Sequence, residues 1–432
     1  MTSRTMKTPR FLRSLTASLV LAGSSLPLVQ VHGANWPSWR GPAGDGVTEE
    51  TGLPITWSAT SANVKWKVPL PDRGNSTPVV WGDKVFLTQS GPGGRRELLC
   101  LDRKTGKVLW QEGVTFNEPE ATHATNPYCS ASPVTDGERI VVSFGSAGLY
   151  AYDFAGKELW HRTDLGKQHH IWGNASSPVL AGDRVFFNIG PGENTALLCV
   201  DKKTGKTLWE HKEPGGASGE EGNKKWIGSW SDPLLRKVGS HYELIMTYPG
   251  RACAFDPMTG KELWTCAGLN PLVYNSPLYS EADGIVVGMG GFNGMALAVK
   301  AGGSGDVSAT HRLWHLPKVS QRIGSGVLYE GRHYILSDGG IAECRDIKTG
   351  EMVWSERLKG PGPSGQNWSS LVRSGDLLYA VNQGGDCFIF KAAPKFELVS
   401  TNSLGERVIA SIAVSDGELF IRGYKNLWCI GR

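Results

Sequence analysis

The 432-residue sequence lacks the short cysteine motifs on which much small-site chemistry depends: it has no adjacent Cys-Cys pair, no C-x-x-C and no C-x-x-C-H. Zinc ribbons, thioredoxin-like exchange and c-type haem attachment are therefore without support. No G-x-S-x-G elbow occurs, so a hydrolase of that kind lacks its nucleophile turn. An excess of one charge is also missing. Lys and Arg number 45 against 41 Asp and Glu, and four of the basic residues (Arg4, Lys7, Arg10, Arg13) fall before residue 35, where there is no acid. The rest is neutral and gives no basic surface on which nucleic acid would release counterions. Gly (56) and Pro (24) are too few for a low-complexity chain, and hydrophobic residues at 40% are enough to fill a core.

What stands at the amino terminus accounts for the misplaced charge. The four basic residues precede an apolar stretch, Leu15 to Val31, and the small residues Gly33 and Ala34 follow. This predicts a secretory signal peptide over residues 1–34, and hence a periplasmic or secreted protein. Ser18, Ser24, Ser25 and Pro27 interrupt the stretch and argue against a membrane anchor, so no span is expected after cleavage. Ser24 stands where a lipoprotein would carry its acylated cysteine, and the cysteine is absent.

The strongest signal is internal repetition. Cys100-Leu-Asp-Arg-Lys-Thr-Gly106-Lys-Val-Leu-Trp110 returns at 151–160, 199–209, 254–264 and 344–354, with a looser, Gly-interrupted copy at 298–314. A second element precedes each copy, a small polar residue and an aliphatic pair, usually with Pro between: Ser76-Thr-Pro78, Ser132-Pro133, Ser177-Pro178, Ser231-Asp-Pro233, Ser276-Pro277, Ser325-Gly-Val327, Ser369-Ser-Leu371 and Ser411-Ile-Ala413. Gly/Asp turns such as Gly82-Asp83 and Asp136-Gly137 lie between the two elements, the chemistry of tight antiparallel hairpins. Each unit reads as a four-stranded meander with strands A to D. Repetition of such units predicts an all-β, eight-bladed β-propeller over residues 64–432, preceded by an extension at 35–63.

The last unit stops after its third strand, while Val64-Lys-Trp66-Lys-Val68 near the start matches a D strand without a blade. Joining the two closes the ring and removes its open sheet edges. Seven units place Trp at one position of strand D, and the eighth has Leu398, which suggests a repeated dock between blades. Cys100, Cys199 and Cys344 alternate with Ala151 and Ala254 at one repeat position, so they read as small buried residues.

The segment Ala/Cys-x-Asp-x-x-Thr-Gly-Lys-x-x-Trp resembles the tryptophan-docking repeat of pyrroloquinoline quinone (PQQ) enzymes and their non-enzymatic relatives, including the propeller lipoprotein of the outer-membrane assembly machine. The resemblance covers residues 64 to 430 and implies the fold; it carries no reaction, because one scaffold hosts unrelated sites. The opening Asn35-Trp-Pro-Ser-Trp-Arg-Gly-Pro-Ala-Gly-Asp-Gly46 is similar to the start of other exported propellers of this kind.

In a propeller, the loops from strand D of one blade to strand A of the next gather at one channel mouth. Here they contain Arg73, Asn75, His123, Asn126, Tyr128, His170, Trp172, Asn174, Trp226, Trp230, Asn275, Arg322, Asn367, Trp368 and Arg407. Such aromatic, amide and guanidinium groups suit a small planar, oxygen-rich ligand, and they also suit plugging the mouth and capping strand ends. A dehydrogenase of the resembled family implies PQQ over a Trp, an adjacent-cysteine disulfide, Ca²⁺ on carboxylate and amide oxygens, and an Asp base. The cysteine pair is missing. Asp72, Glu118, Glu120, Asp232 and Glu406 are the nearest carboxylates, and no spacing selects among them. The expectation is a binding or scaffold protein of the cell envelope, with an envelope protein or small ligand at the mouth. The alternative is a PQQ- and calcium-dependent dehydrogenase of alcohols or sugars.

Overall fold

The computed structural model describes residues 1–2, 34–168, 170–192, 194–214, 227–291, 294–320 and 323–431. The expected signal peptide, Trp226 and Arg322 lie outside the described residues. Met1–His32 separates from Gly33–Arg432, and the architecture below is that of the second unit.

Val79–Trp81, Lys84–Ser90, Arg95–Asp102 and Val108–Thr115 pair in order as one antiparallel sheet, blade 1. The A-B-C-D order recurs in blades whose A strands begin at Val134, Val179, Leu234, Leu278, Val327 and Val372. Blade 8 takes Ala413–Ser415, Glu418–Arg422 and Asn426–Ile430 from the carboxyl end and Val64–Pro69 from the amino end, with Trp66 opposite Cys429. The ring is thus an eight-bladed propeller closed by its first long strand.

The cross-strand partner of the D-strand Trp explains the Cys/Ala alternation. Trp110, Trp209 and Trp354 face Cys100, Cys199 and Cys344, while Trp160, Trp264 and Trp314 face Ala151, Ala254 and Ala298. A large ring needs a small partner across the pleat. In blade 7 the pair in that register is Ser400 and Ile389. All eight cysteines are buried and free.

Six of the seven rim Trp indoles dock on the next blade. The Nε1–H of Trp66, Trp110, Trp160, Trp209, Trp314 and Trp354 donates to the carbonyl of Arg103, Phe154, Lys202, Pro257, Ile347 and Ala393, at 2.7 to 3.1 Å. The first five acceptors each directly follow the Asp that opens the C-to-D turn. The Thr-Gly turn lies against the same ring. Gly205 has φ +68°, and a Cβ there would sit 2.7 Å from Trp160, so both conformation and space demand glycine. Trp264 departs from the pattern and donates to Glu243 Oε2 at 2.8 Å, within its own blade. Blade 8 has no covalent C-to-D turn on which a blade-7 Trp could dock, and the Trp register of the blade-7 outer strand is held by Ser400, opposite Ile389, and not by Leu398 as the sequence suggests: Leu398 lies past the bulge, as Val108 does in blade 1. Ile55 to Ser58 cover that outer strand instead: Trp57 N donates to Asn402 Oδ1 at 2.7 Å, and Ser58 bridges Ser403.

Residues 35–50 pack against the A-strand ends farthest from the D-to-A loops. Trp36 exchanges both backbone hydrogen bonds with Val80 at 2.9 Å, and Pro37 O accepts from Thr135 N. Asp45 pairs with Arg236 at 3.0 Å, and Val47–Thr48 runs parallel to Arg373–Ser374. Gly41, with φ +78°, presses its backbone onto the Trp36 ring, where a Cβ would approach to 2.8 Å. Arg40 is 4% exposed and donates to the carbonyls of Asp45, Ser325, Gly326 and Leu371. This segment bolts blades 1, 2, 4, 6 and 7 together and plugs the far mouth of the channel.

Candidate functional site: the channel cavity

A ring of side chains lines the channel where the A strands begin. The backbone N–H of Thr77 donates to Ser132 Oγ, Ser132 to Ser177, Ser177 to Asp232, Asp232 to Ser276, Ser276 to Ser325, Ser325 to Ser370, Ser370 to Ser411, and Ser411 back to Thr77 Oγ1. The eight bonds span 2.7 to 3.2 Å. Each blade is thereby tied to the next. Seven members are hydroxyls, and Asp232 is the exception.

Side chains two residues apart on an extended strand share a face. The residues two before each ring member (Asn75, Ser130, Ala175, Trp230, Tyr274, Ile323, Trp368, Ile409) accordingly all line one cavity of about 170 Å³. Trp39 of the plug closes it from the far side, and His123, Asn126 and Trp172 contribute from the loops. By comparison with the space one water needs, it accommodates a small organic molecule.

Of the residues singled out from the sequence, Asn75, His123, Asn126, Trp172, Trp230 and Trp368 line the cavity. Two of them also tie neighbouring loops: Asn75 Nδ2 donates to Thr125 O at 2.8 Å and Asn126 Nδ2 to Trp172 O at 2.6 Å. The others have different places. Asn275 and Asn367 are buried and donate to Ile323, Gly324, Leu336 and Ser369 carbonyls, as loop staples. Tyr128 donates to Glu120 O and lies under the Arg96 guanidinium, while Asn174 donates to Glu120 Oε1. His170 is buried behind the wall, edge-on to Trp230 at 4.8 Å. Arg73 is exposed, and Arg407 is exposed and donates to Gln383 Oε1, both outside the lining. Trp39 has no signal in the sequence, and Asp232 stands there only as one of five carboxylates that no spacing selects.

Asp232 is the one carboxyl of the described lining. Ser177 N donates to its Oδ1 at 2.7 Å, the Ser177 hydroxyl lies beside it, and no ion pair is formed. Burial pushes its acid up to about 8, against the smaller opposing pull of the Ser177 hydrogen bonds and of Arg40. Arg40 itself is held down to about 10, chiefly by burial. Other acids near the loops are committed elsewhere: Glu120 pairs with buried Arg96 at 2.5 Å, and Glu406 accepts from Lys425 N and Asn426 Nδ2.

The donor set can be tested against PQQ and calcium. The quinone's carboxylates call for guanidinium or ammonium partners. Among the described residues no Lys or Arg lines the cavity, and Arg40 is spent on carbonyls beneath Trp39. Calcium takes about six to eight oxygens, several from carboxylates; the described lining has a single carboxyl. The described residues do not fit this pair. One other metal-like group, His211, Glu213 and Glu262, stands at the outer strands with Arg251 already at 2.7 and 3.0 Å from the two carboxylates.

Eight sheets tied by an inner ring and docked at the rim by tryptophans define the class of quinoprotein-type propellers. A family model described as outer membrane protein assembly factor BamB matches residues 46–222 and 199–431, and the chain belongs to that family. It is 21% identical over 334 residues to the outer membrane protein assembly factor BamB of Burkholderia pseudomallei (strain K96243), covering 69% of this chain and 79% of that one. It is 24% identical over 278 residues to a polyvinylalcohol dehydrogenase of Sphingopyxis sp. (strain 113P3), covering 56% of this chain and 41% of that protein, less than half its length. A solved europium-containing methanol dehydrogenase superposes with a TM-score of 0.69 at 12% identity over 91% of this chain and 90% of that one, which shows the fold alone. No helix among the described residues is long and apolar enough to cross a membrane.

Proposed function

We propose that this is an exported binding propeller of the cell envelope, whose channel cavity receives a ligand or a partner's side chain, and that it is not a quinoprotein dehydrogenase. The observation that carries the reading is the composition of the cavity wall: aromatic rings and hydroxyls with one carboxyl and, among the described residues, no cation. A relative named as an assembly factor and the basic, apolar amino terminus support the envelope setting. The dehydrogenase reading draws on the polyvinylalcohol dehydrogenase relative, and the donor set counts against it.

The test is cofactor uptake. The mature protein is incubated with PQQ and Ca²⁺, desalted, and assayed for bound quinone and for dye reduction with alcohols and sugars. No retained quinone is expected. Stoichiometric retention with substrate-dependent reduction would overturn the proposal.

A further inference from the structure

We infer that the channel cavity takes a small organic cation, a primary or secondary ammonium whose N–H groups are held by Asp232 between tilted aromatic walls. The inference rests on the binding reading above and names the ligand class for the same cavity.

Three features of the wall point to a cation. First, the described wall holds two acceptors with room for a donor. The Asp232 carboxyl receives hydrogen bonds, among the described residues, from Ser177. In blade 1, across the channel, the buried Oδ1 of Asn75 has no partner, while its Nδ2 is committed to Thr125. A buried acceptor left without a donor is costly, and a ligand bringing N–H groups relieves it. Second, the rings form a corner and not one flat platform. Trp172, Trp230 and Tyr274 are mutually tilted by 42°, 49° and 66°, with centroids 4.8 to 6.3 Å apart. Several π-faces at such angles suit a compact positive charge better than a flat sugar face. Third, among the described residues no ion pair cancels the carboxylate. Arg40, the cation that acts on it, is engaged by four carbonyls, and Arg236 beyond it is paired with Asp45.

The charge balance gives the site a signature. With no ligand bound, Asp232 is protonated below about pH 8. An ammonium stabilises the carboxylate, so its binding expels the Asp232 proton to the buffer and tightens as pH rises toward that value. Among the described residues the other titratable groups facing the cavity are exposed His123 and half-buried Tyr274. Arg40 and, beyond it, buried His333 lie on the plug side, and His333 is held neutral, down to about 3, by burial.

Calorimetric titration with benzylammonium, benzyl alcohol and benzoate, three probes of one shape and three charges, tests this at about pH 8. Benzylammonium is expected to bind at least about tenfold more tightly than either of the others. Asp232→Asn, isosteric and folded by circular dichroism, is expected to bring that advantage within about twofold. At about pH 7, two buffers of different ionisation enthalpy should report about one proton released by the wild type and none by the variant. Equal or tighter binding of benzyl alcohol or benzoate would overturn the cation inference while leaving channel binding intact. No binding by any of the three, or an advantage unchanged in Asp232→Asn, would also overturn it. Failure of the binding reading itself is seen separately, in quinone uptake.

Discussion

The rim and the channel of this propeller are built from the same repeat and differ in how far the blades vary at each. At the rim, six indoles make one hydrogen bond to one kind of carbonyl, and the residue facing each is Cys or Ala. At the channel, the ring hydrogen bond is kept in every blade, while the position two residues earlier runs through Asn, Ser, Ala, Trp, Tyr and Ile. Sameness marks what every blade needs in order to pack. Difference marks where the blades stop being interchangeable, and Asp232 among seven hydroxyls is the sharpest case.

The comparison breaks most visibly at the rim. Trp160→Ala removes a ring that is 7% exposed and should cost about 3 to 5 kcal/mol, read as a lower urea midpoint. The aberrant dock should be costlier to disarm than a regular one. Trp264→Phe strips a hydrogen bond from the buried Glu243 carboxylate and should lose about 1.5 to 3 kcal/mol, against about 1 for Trp314→Phe, whose partner is a backbone carbonyl. In the inner ring, Ser370→Ala leaves Ser325 N without its acceptor and should cost about 1 kcal/mol by the same unfolding measurement. Leu398→Ala, past the bulge of the one blade whose Trp register holds Ser400 and 45% exposed, should stay within about 0.5 kcal/mol of wild type. A large loss there would mean that the outer strand is held by contacts other than the inter-blade dock.

The blade count, the closing strand and the rim docks were legible because each is repeated or is conspicuously missing once: a final unit without its D strand, and a D strand without a blade. The cavity was less legible because its logic is one of register. Trp230 and Trp368 stand two residues before a ring member and face inward, whereas Asn275 and Asn367 stand one and three before and become staples. Asp232 was in view among the candidate carboxylates, but the repeat was aligned on Ser231. Aligned on the proline, Thr77, Ser132, Ser177, Asp232 and Ser276 fall in one column, and the carboxyl stands out. Trp39 had no such signal, since it belongs to the unrepeated extension. The plug that carries it is fixed by contacts such as Arg40 to Leu371, 331 residues apart, which no local pattern announces.

The account turns on Asp232 being a protonated acid inside a ring of hydroxyls. Its folded value of about 8 lies above the ordinary 3.8, so the folded chain holds a proton that the unfolded chain has released. The associated stability is complete below pH 3.8 and is lost as pH rises toward about 8, so Asp232→Asn should gain on wild type across that window. The direct measurement is the infrared carbonyl band of a protonated carboxyl, followed from about pH 6 to about pH 9 in wild type and in Asp232→Asn. The account predicts that wild type loses one such band with a midpoint near 8 and that the variant lacks it. Identical spectra in the two proteins across that range, with every carboxyl already ionised at the lower end, would contradict it.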